Sequence, residues 1–421
     1  MKNVLFITYF WPPSGKASLH WPLFVIKHLP KYGWKPFVIT ADEDSFSHKD
    51  PSLLHEIDPG LTVVKTAANE PFNVYRKFIG KKSGSPLIAS ESISLENRNW
   101  KHRLAIWIRM NLFIPDARIG WNFSALAGAR SIVAANKIDA IVSIGPPHSS
   151  HLIGKKLSAR YNIPHIPVLI DPWVDIVYYK GFHRSSPTLL LDNYFERTTL
   201  EQAQKIVFVT QTTRQDYIEK YPRIKEKSHV LYWGYNEENF QNVTAADSGT
   251  DDVLLHAGNI FDYQNPAGLW NNIASEIAGG RRLRIRFIGT VGPLIKRAID
   301  EAGLTPHTEY NGFLPYHEVI QEMMNARYLL VCATEKRHVP GKLFEYLRTG
   351  KPIIAFGDDN SEVEGIMQQT QAGILLPYNY DRPDIFKRLS AIAPRSDGAK
   401  QFSRDRIAEQ LAAILNSIGK P

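Results

Sequence analysis

Short apolar runs alternate with longer amphipathic stretches from the first residues onward. Val4–Tyr9 reads as a strand, Ser18–Tyr32 as a helix and Phe37–Thr40 as the next strand. A helical pattern through Ala125–Asn136 precedes a strand at Ile138–Ile144. A second helix at His151–Tyr161 precedes Ile166–Ile170, and Ile206–Thr210 and His229–Tyr232 close the series. Strand-like runs separated by helices of this length predict parallel βαβ units and a doubly wound sheet. From Gln241 to Asp252 the chain turns small and polar, a composition that joins domains. The alternation then restarts: Val253–Ala257, Pro266–Ala278, Leu283–Ile288, Leu294–Ala302, Thr308–Asn311, Tyr316–Asn325, Tyr328–Cys332, Lys342–Thr349 and Pro352–Ala355. A last helical pattern covers Ser403–Ile418. The expectation is an α/β protein of two Rossmann-like domains, 1–240 and 241–402, facing each other across a deep cleft. A C-terminal helix within 403–421 is expected to pack back on the first domain.

Composition narrows the class without choosing a function. A chain of 421 residues with 43% hydrophobic and 22% charged positions is ordinary globular protein, which excludes wholesale disorder. The single cysteine, Cys332, lies in an apolar run and can form neither an internal disulfide nor a cysteine-rich zinc site. No apolar stretch long enough for a transmembrane helix or a secretory leader is visible, so a cytoplasmic setting is expected. The formal charge of +8 is concentrated regionally. Between Pro71 and Phe113 stand eight Lys/Arg against two acids. Trp100, Leu104, Trp107, Ile108 and Leu112 recur there at helical spacing among Lys101, Arg103 and Arg109. Such a stripe suits an anionic membrane surface; it equally suits packing on the core with solvated cations. No nucleic-acid-binding motif accompanies the charge.

The segment richest in chemistry runs from Val339 to Ala355. Pro340 and Gly341 permit a tight turn into a helix whose first-turn amides are expected to be unpaired, a favourable phosphate site. Lys342 adds a full charge at that helix start. Glu345, one turn later, is placed to accept hydrogen bonds from a ribose diol, and Gly350 ends the helix before Lys351 and Pro352. A capped helix carrying a surface Lys and Glu explains the same spacing.

The pattern Pro340, Gly341, Lys342, Glu345, Tyr346, Gly350, Lys351, Pro352 resembles the donor-binding motif of retaining GT-B glycosyltransferases of the large "group 1" family. Further segments resemble that family in the right order along nearly the whole chain. They are Phe10–Gly15, Ile114–Trp121, Ser143–His151, Asp171–Trp173, Tyr235–Phe240 and His256–Asn259. The resemblance implies an acceptor-binding first domain and a second domain that holds a UDP- or GDP-sugar, with no cofactor besides this substrate. By that carry-over Glu345 holds the ribose, while Lys342 and the Gly341 backbone hold the diphosphate. Phe313 and Leu314 line the base pocket, and Arg337, His338, Leu343 and Asn259 complete the donor set. Ser14, Gly15 and Lys16 approach the donor phosphates or the acceptor, with His148 beside them; His148 and His151 also read as ordinary residues opening a helix.

Asp171 ends a strand before Pro172 and Trp173, where a carboxylate can orient or deprotonate an acceptor hydroxyl, although an Asx-type turn cap explains it too. The family's transfer is viewed as a front-face process needing no enzymic nucleophile. Asp42, Glu43 and Asp44 mimic a metal motif but follow a strand directly, so capping the turn or meeting solvent is the expected role and no metal is expected. Two departures stand out. Arg337 occupies the place of the first of the family's two glutamates, and neutral Gln264 falls where a basic diphosphate contact is usual. The family's setting implies a glycan or lipid-linked glycan acceptor, cell-envelope or exopolysaccharide assembly, and a peripheral place on the inner face of the membrane. An epimerase or hydrolase on the same frame, or a non-catalytic nucleotide-sugar binder, are the competing expectations.

Overall fold

The computed structural model describes residues 1–68, 100–176, 179, 181–241, 243–245, 251–334, 336–392 and 396–418. Most of the basic run between Pro71 and Phe113, including Arg76, Lys77, Lys81, Lys82 and Arg98, therefore lies outside the described residues. So does most of the polar stretch before Asp252. Two compact units form, Met1–Tyr232 with Ile407–Pro421, and Trp233–Arg406.

The first unit holds strands β1 (Lys2–Ile7), β2 (Trp34–Ala41), β3 (Thr62–Thr66), β4 (Ala140–Gly145), β5 (His165–Leu169), β6 (Ile206–Phe208) and β7 (Ser228–Val230). They pair in parallel in the order β3-β2-β1-β4-β5-β6-β7. Val4, Leu5, Phe6 and Ile7 are all fully buried. A parallel strand covered on both faces reads as a continuous apolar run, which is why β1 was so plain in the sequence. The second unit repeats the scheme with β8 (Asp252–Ala257), β9 (Leu283–Ile288), β10 (Thr308–Tyr310), β11 (Tyr328–Cys332), β12 (Ile353–Phe356) and β13 (Gly373–Leu376). Its parallel order is β10-β9-β8-β11-β12-β13. Each sheet reverses its order once, beside β1 and beside β8. Cys332 ends β11 buried, its thiol pushed up to about 12 by desolvation.

The helix Ser186–Gln202 escaped the hydrophobic pattern, and its packing shows why. It buries Thr188, Asp192, Glu196, Thr199 and Leu200 while Leu190 and Tyr194 face outward. Ser185 caps it, accepting from Thr188 N. Glu196 is fully buried and accepts from Tyr217 Oη at 2.8 Å, Tyr221 Oη at 2.7 Å, Lys220 Nζ at 2.6 Å and Val174 N at 3.0 Å. Asp192, also fully buried, accepts from Trp173 Nε1 at 2.8 Å and from Arg184. Tyr217 Oη in turn accepts from Trp173 N at 2.7 Å. Two carboxylates thus clamp the turn after β5 from behind.

The helix Trp100–Leu112 buries Ile106, Met110 and Asn111 and leaves Trp100, Leu104, Trp107 and Leu112 exposed. Most of the aromatic stripe therefore faces outward, and it is Ile106 and Met110 that meet the core. Among the described residues no helix is long and apolar enough to cross a membrane.

Because the fully buried Glu196 balances the half-exposed Lys220 ammonium and two phenols, Glu196→Gln should lower unfolding free energy by about 1–3 kcal/mol. Denaturant unfolding measures this, and a change under about 0.5 kcal/mol, the range of a neutral surface substitution, would mean the clamp contributes nothing.

Candidate active site

In open α/β sheets, loops leaving neighbouring strands on opposite faces diverge where the order reverses, and ligands bind at those carboxyl ends. In the second unit this place lies between β8 and β11. Gly258, Gly289 and Gly312 follow β8, β9 and β10, all with positive φ. Their backbones lock together, Gly258 N donating to Ile288 O at 2.7 Å and Gly289 N to Gly312 O at 2.6 Å. A Cβ on Gly289 would stand 2.7 Å from the Gly258 carbonyl carbon, and one on Gly258 would stand 2.8 Å from Lys342 Nζ. The ammonium of Lys342 therefore rests against bare backbone at the end of β8.

Lys342 opens the helix Lys342–Thr349, which Tyr346 docks by accepting from Ala257 N at 2.8 Å. Lys342 Nζ lies 3.2 Å from His256 Nε2, and His256 Nδ1 lies 3.0 Å from the Leu330 carbonyl. The carbonyl can only accept, so Nδ1 carries the proton and Nε2 offers its lone pair to the ammonium. Burial, reinforced by the Lys342 charge, holds His256 well below its ordinary value and so neutral. Burial lowers Lys342 to about 8, against the opposing pull of Cys332 and Glu345.

Not every expected group is available. The Leu343 amide already donates to Pro340 O and that of Phe344 to Gly341 O. This corrects the expectation of a fully unpaired first turn. The Leu343 side chain is core, so Leu343 has no group to offer a ligand. Gly341 packs on Trp233, where a Cβ would meet the indole at 3.3 Å. Glu345 is half-buried and Oε1 accepts from Tyr316 Oη at 2.5 Å; burial raises its carboxyl. Tyr316 opens the helix Tyr316–Asn325 and escaped the sequence reading, which saw a helix start but had no signal for its partner.

Phe313 is 92% exposed just after Gly312, with Leu314 half-buried beside it. Asn259 Oδ1 accepts from Thr290 N at 3.0 Å and so fixes the turn after β8. Arg337 is half-buried in the loop after β11. His338 is tied into that loop: Nδ1 accepts from Thr334 N at 3.2 Å and its carbonyl accepts from Asn360 at 2.9 Å. Gln264 is buried, donating to Cys332 O at 2.9 Å and accepting from Phe261 N at 3.0 Å. It holds the loop, and does not wait for a phosphate.

In the first unit the loops after β1, β4 and β5 carry Ser14, Gly15 and Lys16, then His148, then Asp171. Gly15 N donates to His48 O at 2.9 Å, and a Cβ on Gly15 would overlap the His48 ring. Its amide is therefore occupied, contrary to a phosphate-cradling role. The Ser14 side chain is wholly buried. Lys16 stays half-exposed, lowered by burial and by the Arg118 charge. Asp171 is half-buried, and desolvation pushes it up to about 6. Its turn is pinned by His148, whose Nε2 donates to Pro172 O at 3.2 Å while its ring stacks on Trp173 at 5.2 Å. Burial lowers His148 to about 3, so it is a neutral positioning group. His151 joins Ser143 at 2.7 Å, and Ser143 joins His165 at 2.7 Å, a buried relay behind β4. Asp116 holds the start of the helix Ser149–Tyr161, accepting from Ser149 N at 2.8 Å. Glu43 pairs with Lys65, and the Asp42 side chain makes no capping hydrogen bond to the turn it precedes.

Two Rossmann-like units of these strand orders make the GT-B fold of glycosyltransferases. Residues 87–239 match the family described as Glycosyltransferase Family 4. No curated protein matches the sequence. Among solved structures the chain is similar to HepE from Anabaena in complex with UDP-glucose, with a TM-score of 0.57 at 13% identity, covering 99% of this chain and 100% of that one. A glycosyltransferase from Rickettsia africae ESF-5 gives 0.60 at 14%, covering 99% and 98%. Sucrose-phosphate synthase from Thermosynechococcus elongatus gives 0.56 at 13%, covering 99% and 95%. At such identities the likeness is one of fold.

The Lys342 ammonium persists below about 8 and is lost as pH rises through it. Pyrophosphate affinity, followed by calorimetry, should therefore fall across that value in the wild type, and Lys342→Arg should flatten the profile because guanidinium keeps its charge. An unchanged wild-type affinity on both sides would remove Lys342 from anion binding.

Proposed function

We propose that this protein is a glycosyltransferase that moves a sugar from a nucleotide diphosphate donor to an acceptor hydroxyl, with retention at the anomeric carbon. The observation that carries the reading is the Lys342 ammonium held over bare Gly258 backbone at the order reversal of the second sheet, with the Glu345 carboxylate on the same helix. The Family 4 match over 87–239 and the UDP-glucose named with HepE support the substrate class.

In this reading Lys342 and the backbone near Gly341 meet the diphosphate, and Glu345 accepts from the ribose through the oxygen that Tyr316 leaves open. Phe313 and Leu314 flank the base. Catalysis rests on stabilising negative charge on the departing diphosphate and on orienting the acceptor. Asp171 takes the acceptor proton or aligns the hydroxyl, and His148 holds its turn. Arg337 supplies a cation where relatives carry a carboxylate, which favours a donor sugar bearing an anionic group. The first unit binds a glycan or lipid-linked glycan acceptor used in envelope or exopolysaccharide assembly. The exposed Trp100, Leu104, Trp107 and Leu112, with exposed Arg103, support a peripheral seat on anionic membrane.

A calorimetric panel of UDP, GDP and their sugars tests the donor: one nucleotide should bind, and Glu345→Ala should weaken it about tenfold or more. Failure of every nucleotide removes the proposal. Asp171 is a carboxylate only above about 6, so turnover should decline as pH falls through that value, and Asp171→Asn should slow transfer and abolish this limb. Turnover matching the wild type in the Asn variant would exclude Asp171 from the chemistry.

The membrane seat is tested by sedimentation with phosphatidylglycerol and phosphatidylcholine vesicles. Binding should favour the anionic vesicles and drop about tenfold when Leu104 and Trp107 are both changed to Glu. Equal sedimentation of variant and wild type would argue against that face.

A further inference from the structure

Arg184 lies just before the helix Ser186–Gln202, and its side chain is 6% exposed. Nη2 pairs with Asp192 at 2.5 Å. Nε and Nη1 are buried and meet no acceptor among the described residues. A guanidinium cannot shed its charge, and buried charged donors in native proteins are nearly always matched. Asp192 cannot serve them all, because its other oxygen accepts from Trp173 Nε1. The guanidinium carbon sits 5.0 Å from the Tyr179 ring centroid. That contact covers a flat face and leaves the in-plane N–H groups in need of acceptors.

The surroundings are charged and tied together by hydrogen bonds. Arg109 and Arg184 both act on the Tyr179 phenol, opposed by Asp116 and Asp192. Asp116 is already engaged, its oxygens accepting from Ser149 N, Ser149 Oγ and Arg118 N. Asn111 ties the Arg109 helix to the Arg184 loop, accepting from Ser185 N at 2.6 Å and donating to His183 O at 3.1 Å. Through Asp192 and Trp173 the same cluster adjoins the Asp171 turn. The Arg109 helix also carries the outward Trp100, Leu104, Trp107 and Leu112.

We propose that Arg184, stacked on Tyr179 and joined by Arg109, is the seat for a phosphate ester carried by an amphiphilic acceptor whose apolar chain lies along the exposed face of the Trp100–Leu112 helix. The guanidinium keeps its full charge and offers Nε and Nη1 hydrogens in fixed in-plane directions to phosphate oxygens, which the single ammonium of a lysine cannot reproduce. This names the acceptor class and rests on the transferase reading, although the seat itself is separate from the nucleotide site.

The test titrates the full chain by calorimetry with decyl phosphate, inorganic phosphate and UDP. Decyl phosphate should bind the wild type and bind Arg184→Gln about tenfold or more weakly. Arg184→Lys, which keeps the charge beside Asp192 if the Gln variant melts early, should show the same loss, and UDP affinity should be unchanged in both. No wild-type binding of either phosphate, or equal decyl phosphate binding by the Lys variant, overturns the seat. Inorganic phosphate binding as tightly as decyl phosphate overturns the amphiphile and leaves an anion seat. Loss of UDP binding alone in the wild type would instead count against the nucleotide-sugar reading and leave this one standing.

Discussion

A parallel sheet whose strand order reverses must part its loops at the reversal, and both units of this protein depend on that constraint. Beside β8 the parted loops bring His256, Gly258 and Lys342 together from segments far apart in sequence. In the first unit the loops leaving β1, β4 and β5 gather Lys16, His148 and Asp171 at one edge. No single motif creates either place. The topology makes the opening, and side chains then decide what enters it.

The two edges are held by different physics. In the second unit the helix start is fixed by backbone and by neutral partners: His256 through its lone pair, Tyr346 through its hydroxyl. The carboxylate that acts on this ammonium is Glu345, on the same helix. In the first unit the Asp171 turn is fixed by full charges, Asp192 and Glu196, sunk behind it. Those carboxylates pair with Arg184 and Lys220, so buried charge adds to the apolar packing of Trp173 and Val174 in fixing the turn.

Strands with unbroken apolar runs, such as β1 and β11, were legible because burial on both faces leaves no room for alternation. The helix Lys342–Thr349 was legible to the residue, since Gly341 and Gly350 bracket a clear amphipathic turn pattern. The helix Ser186–Gln202 was not, because it buries polar groups and exposes apolar ones. At the site, Lys342, Glu345 and Asp171 could be picked out as residue types at strand and helix ends. Their partners could not: Tyr316 reaches Glu345 and His256 reaches Lys342 only through tertiary contacts that spacing does not encode. Likewise the occupied amides of Gly15 and Leu343 depend on His48 and Pro340 carbonyls, which sequence cannot aim.

The run of Gly258, Gly289 and Gly312 across three adjoining strand ends has a bearing on how such a site can diversify. At Gly258 and Gly289 a methyl group would strike the Lys342 ammonium or neighbouring main chain. The base of the opening is thus a pavement of peptide groups that mutation cannot repaint. Any change of preference between one ligand and another has to be written into the surrounding loops, at positions such as Phe313 and Arg337, while the pavement stays common to all of them.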